Sequence, residues 1–316
     1  MEVINIHHPY KNTEIPKDDV VLVLGFFDGV HLGHQKVIET AREEADRKNV
    51  KLAVMTFNHH PSVVFQKIDH KKMKYITTVD QKVKRMEEAK VDILYIVEFT
   101  SAFAGLKPQD FVDQYIVGLH AVTAVAGFDY TYGKAEIAGM SHLPGYAKER
   151  FDIIEVPKQT QGEDKISSTN IRKMMAEGNM EGANAFLGYT YELSGMVVHG
   201  DKRGRTLGFP TANIKIPQKS LLPLGGVYAV KIQVANNWYM GMAQIGYNIT
   251  FEKDRPMTIE VNILDFDEDI YGEQVSVQWC HFLRKEMKFD GVEGLITQLK
   301  IDEEDTRKYF TYKGVM

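Results

Sequence analysis

Val20-Val21-Leu22-Val23-Leu24 is an unbroken apolar run that stops at Gly25. A run this short, with no polar face, predicts a strand buried on both sides. Immediately after it Leu32, Val37, Ile38, Ala41 and Ala45 recur at near-helical spacing with charges between them. That pattern predicts an amphipathic helix. The alternation then repeats. Strands are predicted at Leu52 to Phe57, Asp92 to Val97, Ala121 to Ala126 and Ile153 to Val156, with a helix at Pro108 to Gly118. Strands alternating with helices predict a parallel, doubly wound sheet, which binds ligands beyond the carboxyl ends of its strands. Motifs directly after a strand therefore carry the most weight.

From about Phe186 the pattern changes. Val227 to Val234 and Trp238 to Ile245 are β-like runs, with Asn236-Asn237 as the predicted hairpin turn. Thr258 to Leu264 and Ser276 to Phe282 follow at close spacing. Several such strands predict an antiparallel barrel or sandwich. In the tail, Gly291 to Tyr312, one helical face holds Val292, Leu295, Ile296 and Leu299. The predicted boundary lies near Gly188 to Ser194, giving domains 1–187 and 188–316.

Composition narrows the function classes. A chain of 316 residues suits two domains. With 44% hydrophobic and 26% charged residues it is neither disordered, collagenous nor one long coiled coil. The net charge of −5 argues against a nucleic-acid partner. Cys280 stands alone, so an intramolecular disulfide and a cysteine zinc site are excluded. Met1 to Asp19 lacks a basic start followed by an apolar core, and no stretch reaches the ~20 apolar residues a membrane helix needs. The expected location is cytoplasmic, with no membrane partner. The lysine-rich run Lys67 to Lys74 reads as a solvated loop or as a phosphate-steering patch. Nothing in the sequence bears on oligomeric state.

Two segments carry chemistry. Gly25-Phe26-Phe27-Asp28-Gly29-Val30-His31-Leu32-Gly33-His34 falls where a strand ends and a helix begins. Glycines allow close backbone approach to a ligand, and a helix N-terminus presents unpaired N–H groups and positive dipole to a phosphate. His31 and His34, three apart, face the same way, and imidazole can donate to a phosphate oxygen as charge builds. A zinc pair, a plain strand–helix turn and helix capping are the competing readings. The second segment, Gly200 to Asn213, has glycines at 200, 204 and 208 among Lys202, Arg203 and Arg205. Such a loop can wrap phosphates with main-chain N–H groups. Thr211 and Asn213 offer hard oxygen ligands suited to Mg²⁺. A flexible basic hairpin is the alternative. Glu260 lies on an otherwise apolar strand, where it is either solvent-facing or functional.

The first string resembles the G-x-F-D-G-x-H-x-G-H signature of the bacterial bifunctional riboflavin kinase/FAD synthetases, a branch of the H-x-G-H nucleotidyltransferases. Phe57-Asn58-His59-His60-Pro61 is similar to that family's F-x-P-H-P, with His59 in place of Pro. Gly127 to Gly133, which contains Asp129, resembles its nucleotide-lining loop. Ile166 to Arg172 resembles I-S-S-T-x-I-R, and Ser168 also reads as a helix N-cap. The second segment resembles the riboflavin kinase motif ending in P-T-A-N.

The resemblance spans nearly the whole chain. It implies a Rossmann-like nucleotidyltransferase domain with a parallel sheet, then an antiparallel β-barrel kinase domain with a terminal helix. It implies ATP-dependent conversion of riboflavin to FMN and of FMN to FAD, with Mg²⁺. By the same resemblance His31, His34 and Arg172 serve adenylyl transfer and Glu260 is the kinase base. Gly25, Phe26, Phe27, Asp28, Gly29, His60, Asp129, Ser168 and Thr169 bind the first ATP. Gly200, Lys202, Gly204, Arg205, Gly208, Pro210, Thr211 and Asn213 bind the second, with Thr211 and Asn213 as metal ligands. Arg284 and Glu286 are the flavin candidates.

Ile249 replaces a Pro that relatives carry beside the kinase site. That keeps open an FAD synthase with a silent kinase-like module. A nucleotidyltransferase for another phosphorylated acceptor, such as a pantetheine phosphate, and an inactive flavin or nucleotide sensor are the other rivals.

Overall fold

The structure, a computed structural model, describes residues 1–65, 73–200, 203–246 and 258–314, without the side chains of Arg203 and Thr258. The chain divides into two compact units, Met1–Ser168 and Thr169–Met316. Most of the lysine-rich run, Lys202, and the Tyr247 to Phe251 segment that contains Ile249 lie outside the described residues.

The first unit is built on six parallel strands: β1 (Glu2–Ile6), β2 (Val20–Leu24), β3 (Lys51–Phe57), β4 (Ile93–Val97), β5 (Ala121–Gly127) and β6 (Asp152–Val156). Their spatial order is β1-β4-β3-β2-β5-β6. The order reverses between β2 and β5, so the loops after these two strands flank the switch point where such sheets bind ligands. Every residue of β2 is buried. Val20, Leu22 and Leu24 pack on one face with Tyr95, Phe103 and Tyr115. Val21 and Val23 pack on the other with Val37, Ile38, Ala41 and Ala45 of the helix Leu32–Lys48. Strand β1 pairs in parallel with β4 and was not foreseen, because its apolar residues are interrupted by Glu2 and Asn5. The predicted helix after Pro108 is a composite: α-helical at Pro108–Phe111, π-helical at Val112–Ile116, then a 3₁₀ turn. A two-stranded ribbon, β7 (Thr160–Gln161) and β8 (Asp164–Lys165), completes the unit.

The division falls at the first residue of the helix Ser168–Ala176, and the helix Met180–Leu187 follows. A closed barrel follows: β9 (Glu192–Val198), β10 (Ala212–Lys215), β11 (Gly226–Val234), β12 (Asn237–Gly246), β13 (Thr258–Ile263) and β14 (Gln274–Arg284). The order is β10-β13-β12-β11-β14-β9, with neighbours antiparallel. Closure removes the exposed edges a sandwich would leave. The β11–β12 turn is one residue earlier than predicted. Val234 pairs with Asn237, so Ala235 and Asn236 form it, and Ala235 takes a left-handed φ of 52°.

The terminal helix Val292–Tyr312 buries Asp302, Thr306 and Phe310; of the predicted face, Leu295, Ile296 and Leu299 are half-buried, Leu295 and Leu299 in line with that stripe, and Val292 is exposed. Arg284 grips Asp302 from the barrel. Its Nε and Nη2 donate to the two carboxylate oxygens at 2.8 and 2.7 Å.

Candidate functional site

The loop after β2 turns sharply. Gly29 has φ of 85°, which glycine adopts without cost. Phe27 at 56° and Val30 at 36° also lie in the left-handed region, where a bulky or β-branched residue is strained. The surroundings hold this backbone from several sides. Gly29 N–H donates to Thr77 Oγ1 at 2.9 Å. Asp28 Oδ1 accepts from the N–H groups of Ile76 and Thr77 at 2.9 and 3.2 Å. The Asp28 carbonyl accepts from Ser168 Oγ at 2.8 Å. Ser168 is the first residue of its helix, so its hydroxyl bonds to the loop instead of capping the helix.

His31 caps the helix Leu32–Lys48, its Nδ1 accepting from His34 N–H at 3.3 Å. The acceptor role leaves the proton of the neutral ring on Nε2, a donor. The two imidazoles stack at 3.6 Å, and the Phe27 ring meets His34 edge-on at 5.1 Å. Burial pushes His31 down to about 4; nearby Asp129 and Lys165 act on it with opposite signs. Burial also holds His34 well below the usual histidine range, helped by His31 and Lys82. Both rings are therefore neutral at pH 7. The capping reading of the histidines is thus correct for His31, and it accompanies the placement at a phosphate-type helix start.

Asp129 and His60, also predicted, lie near this loop. Asp129 pairs with Lys165 at 2.7 Å, and that ammonium lies 4.8 Å over the exposed Phe128 ring. His60 meets the Phe26 ring edge-on at 5.0 Å. Thr169 and Arg172 follow Ser168 on its helix. Sequence reasoning missed Lys82. It is buried at 3% exposure, and its Nζ donates to the Phe26 carbonyl at 2.6 Å and to Thr56 Oγ1 at 3.0 Å. A signal existed: Lys82 falls between Val79 and Met86 on the inward face of the helix Val79–Glu88, where an apolar residue is expected.

In the barrel, register brings the second constellation together. Asn213 of β10 pairs with Glu260 of β13, and Glu260 pairs with Gln244 of β12. Thr211 Oγ1 lies 3.4 Å from Glu260 Oε2 as donor to acceptor. Glu260 is half-buried, unlike its fully buried neighbours Ile259 and Val261. The preceding loop is closely packed. A Cβ on Gly204 would stand 2.2 Å from the Phe209 carbonyl, so only glycine fits. Asn262 Nδ2 fixes the loop's end by donating to the Pro210 carbonyl at 2.7 Å. Gly208 has φ of 83°. Arg205, Pro210 and Thr211 line an open pocket of about 380 Å³ with Asp267, Asp269 and Tyr271. Of the flavin candidates, Glu286 accepts from Gln244 Nε2 at 3.2 Å, one side chain from Glu260, whereas the Arg284 guanidinium is engaged by Asp302. No group of three or more His, Cys, Asp or Glu side chains arranged for a metal occurs among the described residues.

The fold defines a two-module protein. The first is a doubly wound α/β unit of nucleotidyltransferase type, the second a closed barrel of riboflavin kinase type. A family profile described as FAD synthetase matches residues 13–170, and one described as riboflavin kinase matches 187–310. A bifunctional riboflavin kinase/FMN adenylyltransferase from Listeria monocytogenes is 53% identical over 310 residues, covering 98% of each chain. One of the same description from Bacillus subtilis is 43% identical over 313 residues, covering 98% of this chain and 99% of its own. A solved structure described as a macrolide-efflux protein from Streptococcus pneumoniae superposes with TM-score 0.89 at 38% identity, covering 96% of this chain and 99% of its own. The chain belongs to the bifunctional riboflavin kinase/FMN adenylyltransferase family. No helix of the described residues is long and apolar enough to cross a membrane.

Proposed function

We propose that the chain makes FAD from riboflavin in two steps, with phosphorylation in segment 188–316 and adenylyl transfer in segment 1–187. The observation that carries this reading is that one chain holds both a neutral His31–His34 stack at a helix start and, in the barrel, a Thr211 hydroxyl against the Glu260 carboxylate with Asn213 as the register partner of Glu260.

In the first step Glu260 takes the proton of the ribityl 5′-hydroxyl as that oxygen attacks the γ-phosphorus of ATP, and ADP leaves with FMN formed. The half-buried position of Glu260 supports this role, since a base needs both access and a fixed aim. Thr211 and Asn213 would hold Mg²⁺; their neutral oxygens beside a carboxylate are a donor set that suits a hard cation. When bound, Mg²⁺ offsets charge on the ATP phosphates. Gly200, Lys202, Gly204, Arg205, Gly208 and Pro210 embrace those phosphates.

In the second step an FMN phosphate oxygen attacks the α-phosphorus of another ATP, pyrophosphate leaves, and FAD forms. The incoming phosphate is itself the nucleophile. His31, donating from Nε2, and His34 stabilise the charge that builds, and Arg172 adds a permanent cation. The N–H groups of Gly25 to Gly29 receive the nucleotide phosphates, and His60, Asp129, Ser168 and Thr169 complete that site. A buried, neutral imidazole suits this task, because it donates without requiring a proton from solvent.

The test is chromatography of the flavins formed from ATP and Mg²⁺ with riboflavin in one tube and FMN in another, each repeated with a chelator. FAD in both tubes, lost on chelation, is expected. FAD only from FMN would reduce the chain to an FAD synthase with a silent barrel. Flavin and ATP binding without turnover would make it a sensor.

A further inference from the structure

Lys82 has no place in the mechanism above, yet burying an ammonium is expensive unless several groups meet it. Its helix buries Met86 on the same face, so an aliphatic side chain at 82 would pack there without that cost. The structure instead surrounds Nζ with oxygen and π density. The Phe26 carbonyl lies at 2.6 Å, Thr56 Oγ1 at 3.0 Å, the Phe57 carbonyl at 3.5 Å and the Phe26 ring centroid at 4.3 Å. Thr56 Oγ1 in turn donates to the same Phe26 carbonyl at 2.8 Å.

The carbonyl so gripped precedes Phe27, the first strained residue of the loop. Strained backbone persists only where its surroundings over-determine it. Thr77, Ile76 and Ser168 hold the far half of the loop at Asp28 and Gly29. Lys82 and Thr56 hold the near half at the Phe26 carbonyl.

We propose that Lys82 is a positioning residue for adenylyl transfer: from beneath the loop its ammonium clamps the Phe26 carbonyl to the end of β3 and fixes the strained Gly25–Gly29 backbone in its phosphate-receiving shape. The inference rests on the reading that the N-terminal unit transfers an adenylyl group from ATP to FMN.

The clamp has an electrostatic consequence. The groups that bear on the amine are Asp28 on the loop and His34, with the stacked His31, on the helix Leu32–Lys48. Burial lowers Lys82 to about 7, against the opposing pull of Asp28. Its charge in turn disfavours protonation of His34. Removing that charge lets His34 take a proton at higher pH, so the acid limb of the adenylyl-transfer profile moves up.

The experiment uses the full-length chain as wild type, Lys82→Met and Lys82→Arg. FAD formation from FMN and ATP is measured across pH 5 to 9, and riboflavin phosphorylation serves as an internal control. Hydrogen exchange in Val20–Leu24 and Lys51–Phe57 gives the folded fraction of the sheet. Lys82→Met should lower kcat per folded molecule by about 10²-fold, the scale of a small misplacement of reacting groups. KM should change less, the acid limb should shift upward and the kinase rate should hold. Lys82→Arg, which keeps the charge, should leave the acid limb near its wild-type position and recover part of the rate. A folded Lys82→Met protein with wild-type kcat overturns the proposal. So does a loss that merely tracks unfolding with the pH profile unmoved. A wild-type chain that makes no FAD from FMN would overturn the adenylyl-transfer reading, and this inference with it.

Discussion

The segment after β2 keeps its imidazoles neutral, His31 buried and His34 half-buried, whereas the loop before β10 presents oxygen atoms beside an open pocket. His31 is 6% exposed and offers an uncharged donor in a low-dielectric setting. Glu260 is half-buried, with the Thr211 hydroxyl against its carboxylate and Asn213 as its register partner. The difference follows from what attacks. An FMN phosphate already carries its charge and needs only to be placed and stabilised. A ribityl hydroxyl must lose a proton, so its site needs a base that solvent and substrate can reach. The backbone differs accordingly. The first loop is strained and clamped from beneath; the second is compact because glycine permits main chain to touch main chain.

The sharpest way to break this comparison is to remove the base. Glu260→Gln should cut riboflavin phosphorylation by ~10²–10⁴-fold, the usual range for a general base. FAD formation from supplied FMN should be unchanged, as read by chromatography in the two-tube assay. If both reactions fall in a folded protein, the two sites are not independent and the comparison is void. Next in size are His31→Ala and His34→Ala. Each removes a donor preorganised toward developing charge, worth about 10²–10³ in rate. Adenylyl transfer should drop by that factor while the kinase continues. A kinase loss in either variant would show that the N-terminal imidazoles serve more than their own unit.

How much of this was readable beforehand depends on the physics behind each feature. The buried strand β2 and the helix after it were legible because burial on both faces and a 3.6-residue period leave unambiguous patterns. Strand β1 was not, because its apolar residues alternate with Glu2 and Asn5 at a sheet edge. The hairpin turn was misplaced by one residue because Ala235 adopts a left-handed φ that composition does not advertise. The terminal helix was legible in its first half, where Leu295, Ile296 and Leu299 are half-buried, but not in its second, where the buried Asp302 is held by Arg284, an ion pair no hydrophobic period encodes. Glycines and histidines of the sites stood out because few residues can do their work. Thr77 and Lys82, which brace the first loop from far along the chain, look like ordinary helix-start and surface residues until the fold puts them together.

A smaller effect tests the second loop. Gly204→Ala places a methyl group 2.2 Å from the Phe209 carbonyl, so the loop must shift. Overpacking of this kind typically costs ~1–3 kcal/mol. The barrel should unfold at lower temperature and the kinase should lose ATP affinity. Adenylyl transfer should not change. An unaltered KM for ATP in the kinase assay would show that the loop's close packing is not what shapes its phosphate site.

A last effect, on stability and not on rate, separates the units by pH alone. In the unfolded chain a histidine titrates near its ordinary value of 6.5, but His31 in the fold takes a proton only near about 4. Between those values the unfolded state binds more protons, so stability of the N-terminal unit falls as pH falls, by at most ~1.4 kcal/mol per pH unit for this group. Lys82, lowered from 10.5 to about 7 by burial, has the same sign: the unit gains stability as pH rises above 7. The barrel contains a group of opposite sign. Burial raises Cys280 from 9.0 to about 11, so between these values the unfolded state sheds its proton first and the barrel weakens as pH rises. Calorimetry at pH 5, 7 and 9 to 10 should therefore show the N-terminal transition moving upward with pH while the barrel transition turns downward at the alkaline end. Hydrogen exchange in β2 and β11 assigns the two transitions. If both move together, the buried histidine, lysine and cysteine do not govern the pH response of their own units, and the contrast between a dry imidazole site and an open oxygen site loses its thermodynamic support.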